Sequence, residues 1–323
     1  MKKCYVGFDT SNYTTSAAVC GEDGVIIANL KIPLPVKEGV CGLRQSDAVF
    51  EHVRNLTPLT ARLGEILKEH SPVAVAASAR PRNAEDSYMP CFLCGRAAAN
   101  SFASALSCPI HEFSHQEGHV MAAMYSSGKE EYLLSCPRFF AFHVSGGTTE
   151  LLLVTPMKGG AGFDISLVGE TLDINAGQAI DRVGVAMGLK FPCGREMEML
   201  ASEYNGKLPK YRPTVREGKC SLSGVENIAL RLYSEDNDKR RTAAFVFDFI
   251  ERTLSEMCQQ AYLRYGCAPI LFAGGVMSNK LMRKGLEEKF EAFFADAEFS
   301  ADNAAGIALL CRKREITENK IKV

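Results

Sequence analysis

Two histidines four residues apart form the clearest metal-binding pair in this sequence. His115 and His119 enclose the stretch HQEGH, and residues i and i+4 lie on one face of a helix. Both imidazoles can therefore bind the same divalent metal ion. Zinc proteases use this spacing with a glutamate base directly after the first histidine, but Gln116 occupies that place here. Glu117 comes next and lies about 100° further round the helix, so the protease interpretation fails.

A complete metal site needs a third ligand from another part of the chain. Asp302, in the stretch SADNAAG, is a candidate. An aspartate in that position is also a common helix N-cap, and the residues alone leave both roles open. Asp9 ends the first strand-like segment, where it either orients a metal or a water beside a phosphate or simply belongs to the turn. Asp9 is therefore the candidate catalytic residue.

Two turns rich in glycine, serine and threonine are candidates for phosphate binding. The first begins at Thr10 and Ser11, and the second is 144–147, with the sequence VSGG. Backbone N–H groups and hydroxyls in such turns bind anions. Both turns are followed by two threonines, in GFDTSNYTTSAAV and AFHVSGGTTELLLV. This faint internal repeat favours a nucleotide held between two similar domains.

A third glycine-rich segment is a weaker candidate for the same role. Gly274 and Gly275 close an apolar strand directly before a helix. The N-terminus of a helix attracts phosphate, so this segment could admit a nucleoside and its phosphate.

Strand-like and helix-like segments alternate along the chain. Strands are predicted from β-rich runs between turn signals, at 4–9, 14–20, 25–30, 73–77, 138–143, 148–154, 163–169 and 269–273. Helices are predicted from apolar residues at helical spacing, at 46–69 with an interruption at Pro58, 93–106, 115–124, 176–188, 240–264, 279–289 and 303–314. The alternation indicates an α/β fold of two duplicated domains. We expect these domains to be 1–125 and 126–323, with the C-terminal helix 303–315 packed back on the first.

The composition is that of a soluble globular protein. The chain has 323 residues, of which 46% are apolar and 23% charged, which suits two domains. The net charge of -1 gives no general attraction for nucleic acid. Such a contact would need a local patch, and the basic loop 205–219 is the candidate. No apolar run reaches the roughly 18 residues of a membrane span, and no signal peptide precedes the first strand, so we expect a cytoplasmic protein without membrane contact.

The twelve cysteines are typical of free thiols rather than a disulfide framework, because the chain shows no secretory signal. Cys91 and Cys94 alone form a C-x-x-C, and no second pair completes a zinc set. We expect buried thiols, and a redox or metal role for this pair is the alternative.

Seven short motifs occur together in a recognisable order. They are DTS, HQEGH, VSGG-T, GETLDINAGQAIDRV, SLSG, AGGVMSN and ADNAA. In their order and spacing, over nearly the whole chain, the sequence resembles the threonylcarbamoyl-transferase (TsaD-like) family, once described as O-sialoglycoproteases. The resemblance implies the duplicated α/β fold of the actin, sugar-kinase and heat-shock ATPase superfamily. It also implies an active site in the cleft between the two domains.

The resemblance implies roles for individual residues. It assigns His115, His119 and Asp302 to one iron or zinc ion. It assigns the turn 143–147 to the phosphate and acyl part of an adenylate. It assigns Asp181, Gly194 and Asn279 to the nucleoside and its substituent. These substrate-binding residues are His143, Val144, Ser145, Gly146, Gly147, Asp181, Gly194 and Asn279.

The implied reaction moves a threonylcarbamoyl group from threonylcarbamoyl-AMP to the exocyclic amine of an adenosine beside the tRNA anticodon. A metal can polarise the carbonyl, and backbone N–H groups can stabilise the tetrahedral intermediate. The resemblance further implies small partner subunits and a separate enzyme that makes the adenylate.

Several positions depart from the family pattern. They are Asn12, Tyr13 and Thr14 in place of Cys and two acidic residues, Thr148 in place of a histidine, Glu226 in place of a lysine, and 79–95 in place of a loop with Gly-Pro-Gly. Three interpretations therefore stay open. The protein is an active tRNA threonylcarbamoyl transferase, a related carbamoyl or acyl transferase or nucleotide hydrolase with another acceptor, or a non-catalytic nucleotide-binding subunit. The retained metal set argues against the third.

Overall fold

The computed structural model describes residues 1–11, 13–35, 43–300 and 304–321. The chain forms two compact units. The first contains Met1–Pro137, Thr155–Ile165 and Glu298–Val323, and the second contains Arg138–Val154 and Ser166–Ala297.

The first unit includes three segments beyond residue 125: 126–137, 155–165 and 298–323. The expected domain boundary at 125/126 stays a prediction. The last helix explains two of these three segments. Arg314 Nε donates to the carbonyl of Ala161, and Thr317 Oγ1 donates to the carbonyl of Gly159. These bonds fasten 155–165 to the C-terminal helix.

The first unit is built on a five-stranded sheet in the order β3-β2-β1-β4-β5. Its strands are β1 (Lys2–Asp9), β2 (Thr14–Gly21), β3 (Ile26–Pro33), β4 (His70–Arg80) and β5 (Ile110–Ser114). The β1–β2 and β2–β3 pairs are antiparallel, and the β1–β4 and β4–β5 pairs are parallel. The central strand β1 is buried along most of its length, which is why its sequence is almost continuously apolar.

Helices cover both faces of this sheet. They are α1 (Gln45–Leu67), α2 (Phe92–Leu106), α3 (His115–Ser126), α4 (Glu130–Ser135) and the last helix, α11 (Ala305–Ile321). Leu59 and Leu63 of α1 and Ala99 of α2 pack with Val6 and Phe8 on one face.

Helix α11 covers the other face at very short range, as expected for the C-terminal helix. A Cβ on Gly7 of β1 would lie 2.5 Å from the amide nitrogen of Ala308, and a Cβ on Gly306 would overlap the carbonyl oxygen of Gly118 in α3. Glycine at these positions therefore lets α11 lie directly against both β1 and α3.

The second unit repeats this topology. Its sheet has the order β12-β11-β6-β7-β8-β10-β9, so that the run β8-β7-β6-β11-β12 matches β3-β2-β1-β4-β5 in position. The β6–β7 pair is antiparallel, and the β6–β11 and β11–β12 pairs are parallel. Its strands are β6 (Phe139–Val144), β7 (Thr149–Pro156), β8 (Phe163–Thr171), β9 (Val215–Arg216), β10 (Lys219–Cys220), β11 (Ile270–Ala273) and β12 (Ala292–Phe294). The duplication predicted from the two hairpins is therefore present in the strand order.

The helices of the remaining chain pack on this second sheet around one aromatic-rich core. They are α5 (Ala176–Ala186), α6 (Gly194–Ser202), α7 (Ser223–Asp236), α8 (Lys239–Tyr265) and α9 (Lys280–Glu287). The short α10 (Ala297–Ser300) lies instead with the first unit, to which Glu298–Val323 belongs. Phe245 and Phe249 of α8 are fully buried. Phe142 of β6 stacks on Phe272 of β11 with ring centroids 5.1 Å apart.

Two local predictions were wrong. Helix α1 runs unbroken through Pro58, because its buried face on the sheet outweighs the loss of one helical hydrogen bond. The basic segment 205–219, expected to be a loop, is not loop throughout, since β9 and β10 form a short antiparallel hairpin there. Within the described part of the chain, no helix has both the length and the apolar character that crossing a membrane would require.

Candidate metal centre and glycine-rich site

Helix α3 starts at the first histidine of HQEGH and is capped by its own side chains. The hydroxyl of Ser114 accepts the amide N–H of Glu117 at 3.2 Å, and Glu117 Oε2 accepts the amide N–H of Ser114 at 2.8 Å. This is a capping box. The second carboxylate oxygen of Glu117 accepts the amide N–H of Phe163 at 3.2 Å. Glu117 is 3% exposed and has a structural role at the start of the helix. This role agrees with the rejection of the protease interpretation.

The two histidines lie side by side on α3. The ring centroids of His115 and His119 are 4.2 Å apart in an edge-on arrangement. The helical spacing therefore brings both imidazoles to one place, as the sequence predicted.

Asp9, at the end of β1, fixes the orientation of His115. Its Oδ2 atom lies 2.7 Å from Nδ1 of His115, and its Oδ1 atom accepts the amide N–H of Ser11 at 2.7 Å. Asp9 is only 1% exposed. A carboxylate on Nδ1 keeps the proton there, which leaves the Nε2 lone pair available to a metal. These contacts place Asp9 beside a candidate ligand, whereas a turn residue would face solvent.

The two residues after Asp9 are buried. The hydroxyl of Thr10 donates to the carbonyl of Cys91 at 2.8 Å and accepts the amide N–H of Gly95 at 2.9 Å, which fastens the first turn of α2 to the end of β1. The Ser11 hydroxyl is buried and has no partner in the described part of the chain. Binding of a phosphate by Thr10 and Ser11 stays a prediction.

Asp302 lies outside the described residues, but the chain just after it does not. A Cβ on Gly306 would overlap the carbonyl oxygen of Gly118, which sits between His115 and His119 in α3. The start of α11 therefore lies against the histidine-bearing turn of α3.

The donors present fit a divalent transition metal. Imidazole nitrogens are ligands for zinc and iron, and His115 already has the carboxylate partner that such ligands usually carry. The assignment of His115, His119 and Asp302 to one ion stays a prediction.

His52 is a buried polar residue near this centre that the sequence analysis missed. It is fully buried, and its Nδ1 atom lies 2.9 Å from Oγ1 of Thr15. Its Nε2 atom has no partner among the residues described. Burial lowers the pKa of His52, and the Asp9 carboxylate opposes this shift. The available signal was its place on the buried face of α1, where a histidine needs a partner.

In the second unit, the turn after β6 is closed by Ser145. The amide N–H of Ser145 donates to the carbonyl of Thr148 at 2.8 Å. Its hydroxyl oxygen accepts the amide N–H groups of Gly147 and Thr148 at 3.2 and 3.1 Å. His143 and Val144 are the last residues of β6, half-buried and buried. Gly146 and Gly147 are exposed, with open space beside both, so a ligand can approach the backbone there.

Three glycine-containing segments meet at this turn. The amide N–H of Gly177, in the first turn of α5, donates to the carbonyl of Ser145 at 3.1 Å, and a Cβ on Gly177 would lie 2.7 Å from the nitrogen of Gly146. Gly274 has a φ of +101°, and a Cβ there would overlap the carbonyl oxygen of Val144. The VSGG, NAGQ and AGG motifs therefore form one cluster.

Asn279 follows Gly274 and Gly275 in the same segment and caps the next helix. The Oδ1 atom of Asn279 caps α9 by accepting the amide N–H of Met282 at 2.9 Å. The Nδ2 group is buried and has no partner within the described ranges, so one donor remains for a ligand. The next amide of the helix, on Lys280, already donates to Glu198 Oε1 at 2.7 Å. The exposed Gly275 precedes this cap in the same segment.

Asp181 holds the loop that leads into α6. Its Oδ1 atom accepts the amide N–H of Cys193 at 2.8 Å. Gly194, the next residue, has open space beside it. Substrate contacts by Asp181 and Gly194 stay predictions.

Asp173, which the sequence analysis did not single out, ties two further motifs together. Its carboxylate accepts the amide N–H groups of Leu222 and Ser223 and the Ser223 hydroxyl at 2.6–3.1 Å. Burial raises the pKa of Asp173, but the hydrogen bonds from Ser223 and the backbone outweigh it and hold that pKa below its usual value. The motif GETLDINAGQ is thereby fixed to SLSG.

Cys91 and Cys94 are buried free thiols at the start of α2. The thiol of Cys94 donates to the carbonyl of Val49 at 3.7 Å, and burial raises its pKa. A thiol with a raised pKa is a poor nucleophile and a poor metal ligand, which favours the expected structural role.

Solved structures share this fold. The activator of 2-hydroxyisocaproyl-CoA dehydratase from Clostridium difficile matches with a TM-score of 0.52 and 12% identity, over 100% of this chain and 98% of that chain. Component A of (R)-2-hydroxyglutaryl-CoA dehydratase from Acidaminococcus fermentans matches with a TM-score of 0.55 and 13% identity, over 97% and 99%. HypF from T. kodakarensis matches with a TM-score of 0.60 and 12% identity, over 98% of this chain and 48% of that chain. At these identities the likeness shows the fold alone, and it confirms the α/β fold of the actin, sugar-kinase and heat-shock ATPase type.

A comparison of the sequence with family models identifies the family. The family model for TsaD, described as tRNA N6-adenosine threonylcarbamoyltransferase, matches residues 51–309. This stretch contains HQEGH, VSGG and AGGVMSN, the motifs of both clusters, and the match confirms the resemblance seen in the motif order. The chain belongs to the tRNA N6-adenosine threonylcarbamoyltransferase (TsaD) family.

Proposed function

We propose that this protein transfers a threonylcarbamoyl group from threonylcarbamoyl-AMP to the exocyclic amine of a tRNA adenosine beside the anticodon. The observation that carries the proposal is the paired imidazoles of His115 and His119 with Asp9 on Nδ1 of His115, in a chain of this family. A scaffold protein has no use for such a preorganised donor set.

The metal-binding residues in the proposal are His115, His119 and Asp302. A bound zinc or iron ion would supply Lewis acidity toward the substrate's carbonyl or phosphate oxygens. The chain's own contribution is to hold the donors ready. Asp9 keeps the proton of His115 on Nδ1, and the capping box of Ser114 and Glu117 fixes the start of α3.

The glycine-rich cluster is the proposed binding site for the adenylate. The exposed backbone of Gly146 and Gly147 lets phosphate oxygens approach closely, and the buried Nδ2 donor of Asn279 can hydrogen-bond the nucleoside. The amides of Gly147 and Thr148 donate to Ser145 Oγ. They become available to a phosphate only when the Ser145 side chain turns away.

The proposed tRNA contact is the basic loop 205–219. Lys207, Lys210, Arg212 and Arg216 are all exposed there. Exposed cations in a chain with a net charge of -1 form a local patch that phosphates can bind. Small partner subunits, implied by the family, belong to the same proposal.

A related transferase with another acceptor is the second candidate. It is favoured by Tyr13 and Thr14, which stand where the family has acidic residues, and by Thr148, which replaces a histidine in the turn. Tyr13 is 44% exposed, so its side chain can contact a different acceptor.

An acceptor assay separates these two functions. Metal-loaded protein is incubated with threonylcarbamoyl-AMP, the family's partner subunits and unmodified tRNA, beside a family member of known activity. Mass spectrometry of the nucleosides should show threonylcarbamoyladenosine. If the control enzyme forms it and this protein does not, the tRNA assignment is rejected and the second candidate is favoured.

A further inference from the structure

A second cluster of metal-ligating side chains lies in the first unit, near the start of β5. His111 on β5 and Glu315 and Glu318 on α11 each offer one ligand atom, and these atoms all lie within 4.8 Å of one another. The Nε2 atom of His111 is 2.8 Å from Oε1 of Glu315. Residues i and i+3 share one face of a helix, so both carboxylates point toward the histidine.

The negative charge of this cluster is not balanced by the described part of the chain. Glu315 is 7% exposed, and its ion-pair partner is His111. Glu318 has no hydrogen bond or ion pair in the parts of the chain that the structure describes. Within those parts, two carboxylates therefore face one imidazole, with no lysine or arginine paired to either. Even with His111 protonated, two carboxylates face one positive charge, so the cluster carries net negative charge and favours a cation.

We propose that His111, Glu315 and Glu318 bind a divalent transition-metal ion of the zinc type. Imidazole nitrogen and carboxylate oxygen bind zinc at roughly 2.0–2.2 Å, which separates the ligands of a tetrahedral site by about 3.3–3.5 Å. Small side-chain rotations reach that spacing, because His111 Nε2 and Glu315 Oε1 are 2.8 Å apart and all three ligand atoms lie within 4.8 Å of one another. The imidazole favours zinc over magnesium or calcium, which prefer oxygen ligands alone. With three protein ligands, water takes the fourth position.

This site is separate from the one at His115 and His119. His111 precedes His115 by four residues of extended chain, a distance of roughly 13 Å. One ion cannot bridge that distance. The ion would instead clamp α11 to β5, and α11 is the helix whose start follows Asp302.

Zinc binding to a chain that lacks the first site tests the proposal. Full-length protein with His115→Ala and His119→Ala is stripped with a chelator and titrated with Zn²⁺ by calorimetry. We expect one saturable site and a rise in Tm, because a ligand that binds the folded state stabilises it. Absence of saturable binding would overturn the proposal, whatever the transfer activity of the unaltered protein.

Glu318→Gln, added to that background, tests the ligand set. The change keeps the side chain's shape and should weaken Zn²⁺ binding at least tenfold. Glu112→Gln is the matched control, since Glu112 follows His111 on β5 but pairs with Arg96, and it should leave the affinity unchanged. Equal affinity in both variants would contradict the assignment. X-ray absorption should show one imidazole and oxygen ligands, and sulfur ligands would move the ion to the cysteines and refute it.

Discussion

Asp9 is the residue on which the proposed metal centre depends most. Buried at the end of β1, it holds Nδ1 of His115 and the backbone of Ser11 with separate oxygens. A carboxylate behind a metal-binding histidine sets the tautomer and makes the imidazole a stronger ligand. Its effect on a metal would therefore pass through His115.

Asp9→Asn should weaken metal binding by roughly 10–100-fold, the usual cost of losing such a partner. The physical reason is that a neutral amide no longer favours the proton on Nδ1. Metal content after dialysis against a graded chelator measures the effect. Asp47→Asn, at an exposed acid in the first turn of α1, is the control, and equal metal retention in both variants would remove Asp9 from the site.

Two substitutions of Asn279 can distinguish its role as a helix cap from its proposed role in nucleotide binding. Asn279→Asp keeps an oxygen to accept the Met282 amide but lacks the Nδ2 donor. We expect it to keep the helix cap and to weaken adenylate binding about fivefold, because one hydrogen bond is worth roughly 1 kcal/mol. Asn279→Ala should also lose about 1 kcal/mol of stability with the cap.

Chemical denaturation and titration with an AMP analogue measure these two effects. Undiminished AMP affinity in Asn279→Asp would show that the buried Nδ2 does not serve a nucleotide.

Among the elements, α11 is positioned by glycines rather than by large side chains. Gly306 meets Gly118, and Gly7 meets Ala308, at distances that leave no room for a Cβ. The same packing brings the start of α11 against the turn of α3 that contains Gly118.

Gly306→Ala should destabilise the protein by roughly 1–3 kcal/mol or more, because the new methyl group meets backbone atoms that cannot move aside. Gly64→Ala is the matched control. Gly64 lies inside α1 with nothing within 4 Å of a Cβ, so alanine there should stabilise by about 0.5–1 kcal/mol. Urea unfolding compares the two, and a neutral Gly306→Ala would contradict the close packing.

The sequence predicted the elements that carry a strong local pattern. The hairpins β1–β2 and β6–β7, the helix at HQEGH and the final helix were all expected. The unbroken α1 was not, because Pro58 is a local helix-breaking signal and the burial of Leu59 and Leu63 is a tertiary effect. Short elements such as α4 and β12 have too few residues to show a period.

The sequence predicted the candidate site only where the site residues follow a regular spacing along the chain. His115 and His119 follow from the helical repeat, whereas the Asp9–His115 bond joins residues 106 positions apart and needs the fold. The closure of the turn by Ser145 and the capping by Glu117 are likewise consequences of backbone geometry. His52 could not be assigned a role from its residue type alone.

On the scale of the whole molecule, the charge does not attract tRNA, and only local clusters of basic residues can do so. The net charge is -1, so attraction to a polyanion must come from clusters such as the loop 205–219. A near-neutral chain of a tRNA-modifying family would bind its substrate through such a patch.

Changing Lys207, Lys210 and Arg212 to Gln should weaken tRNA binding. The slope of log K against log salt should fall by roughly one for each phosphate that the variant no longer neutralises. Filter binding at several salt concentrations measures both quantities.

The control changes three exposed lysines of the first unit, Lys68, Lys158 and Lys320, to Gln. It alters the net charge equally and should bind tRNA almost as the unaltered protein does. The same loss of affinity in both triple variants would mean that net charge, and not the loop, governs binding.

The proposed function requires the centre at His115 and His119 to serve threonylcarbamoyl transfer to tRNA. Its sharpest test is the initial rate of threonylcarbamoyladenosine formation, with saturating partner subunits, for three proteins: unaltered, His115→Ala/His119→Ala, and the control His70→Ala, a half-buried histidine bonded to the Ile66 backbone. We predict that the unaltered protein and His70→Ala form the nucleoside at similar rates. The double variant should lose the metal bound at this centre and at least a hundredfold in rate while remaining folded. A double variant that remains as active as the unaltered protein would contradict the proposed role of this centre.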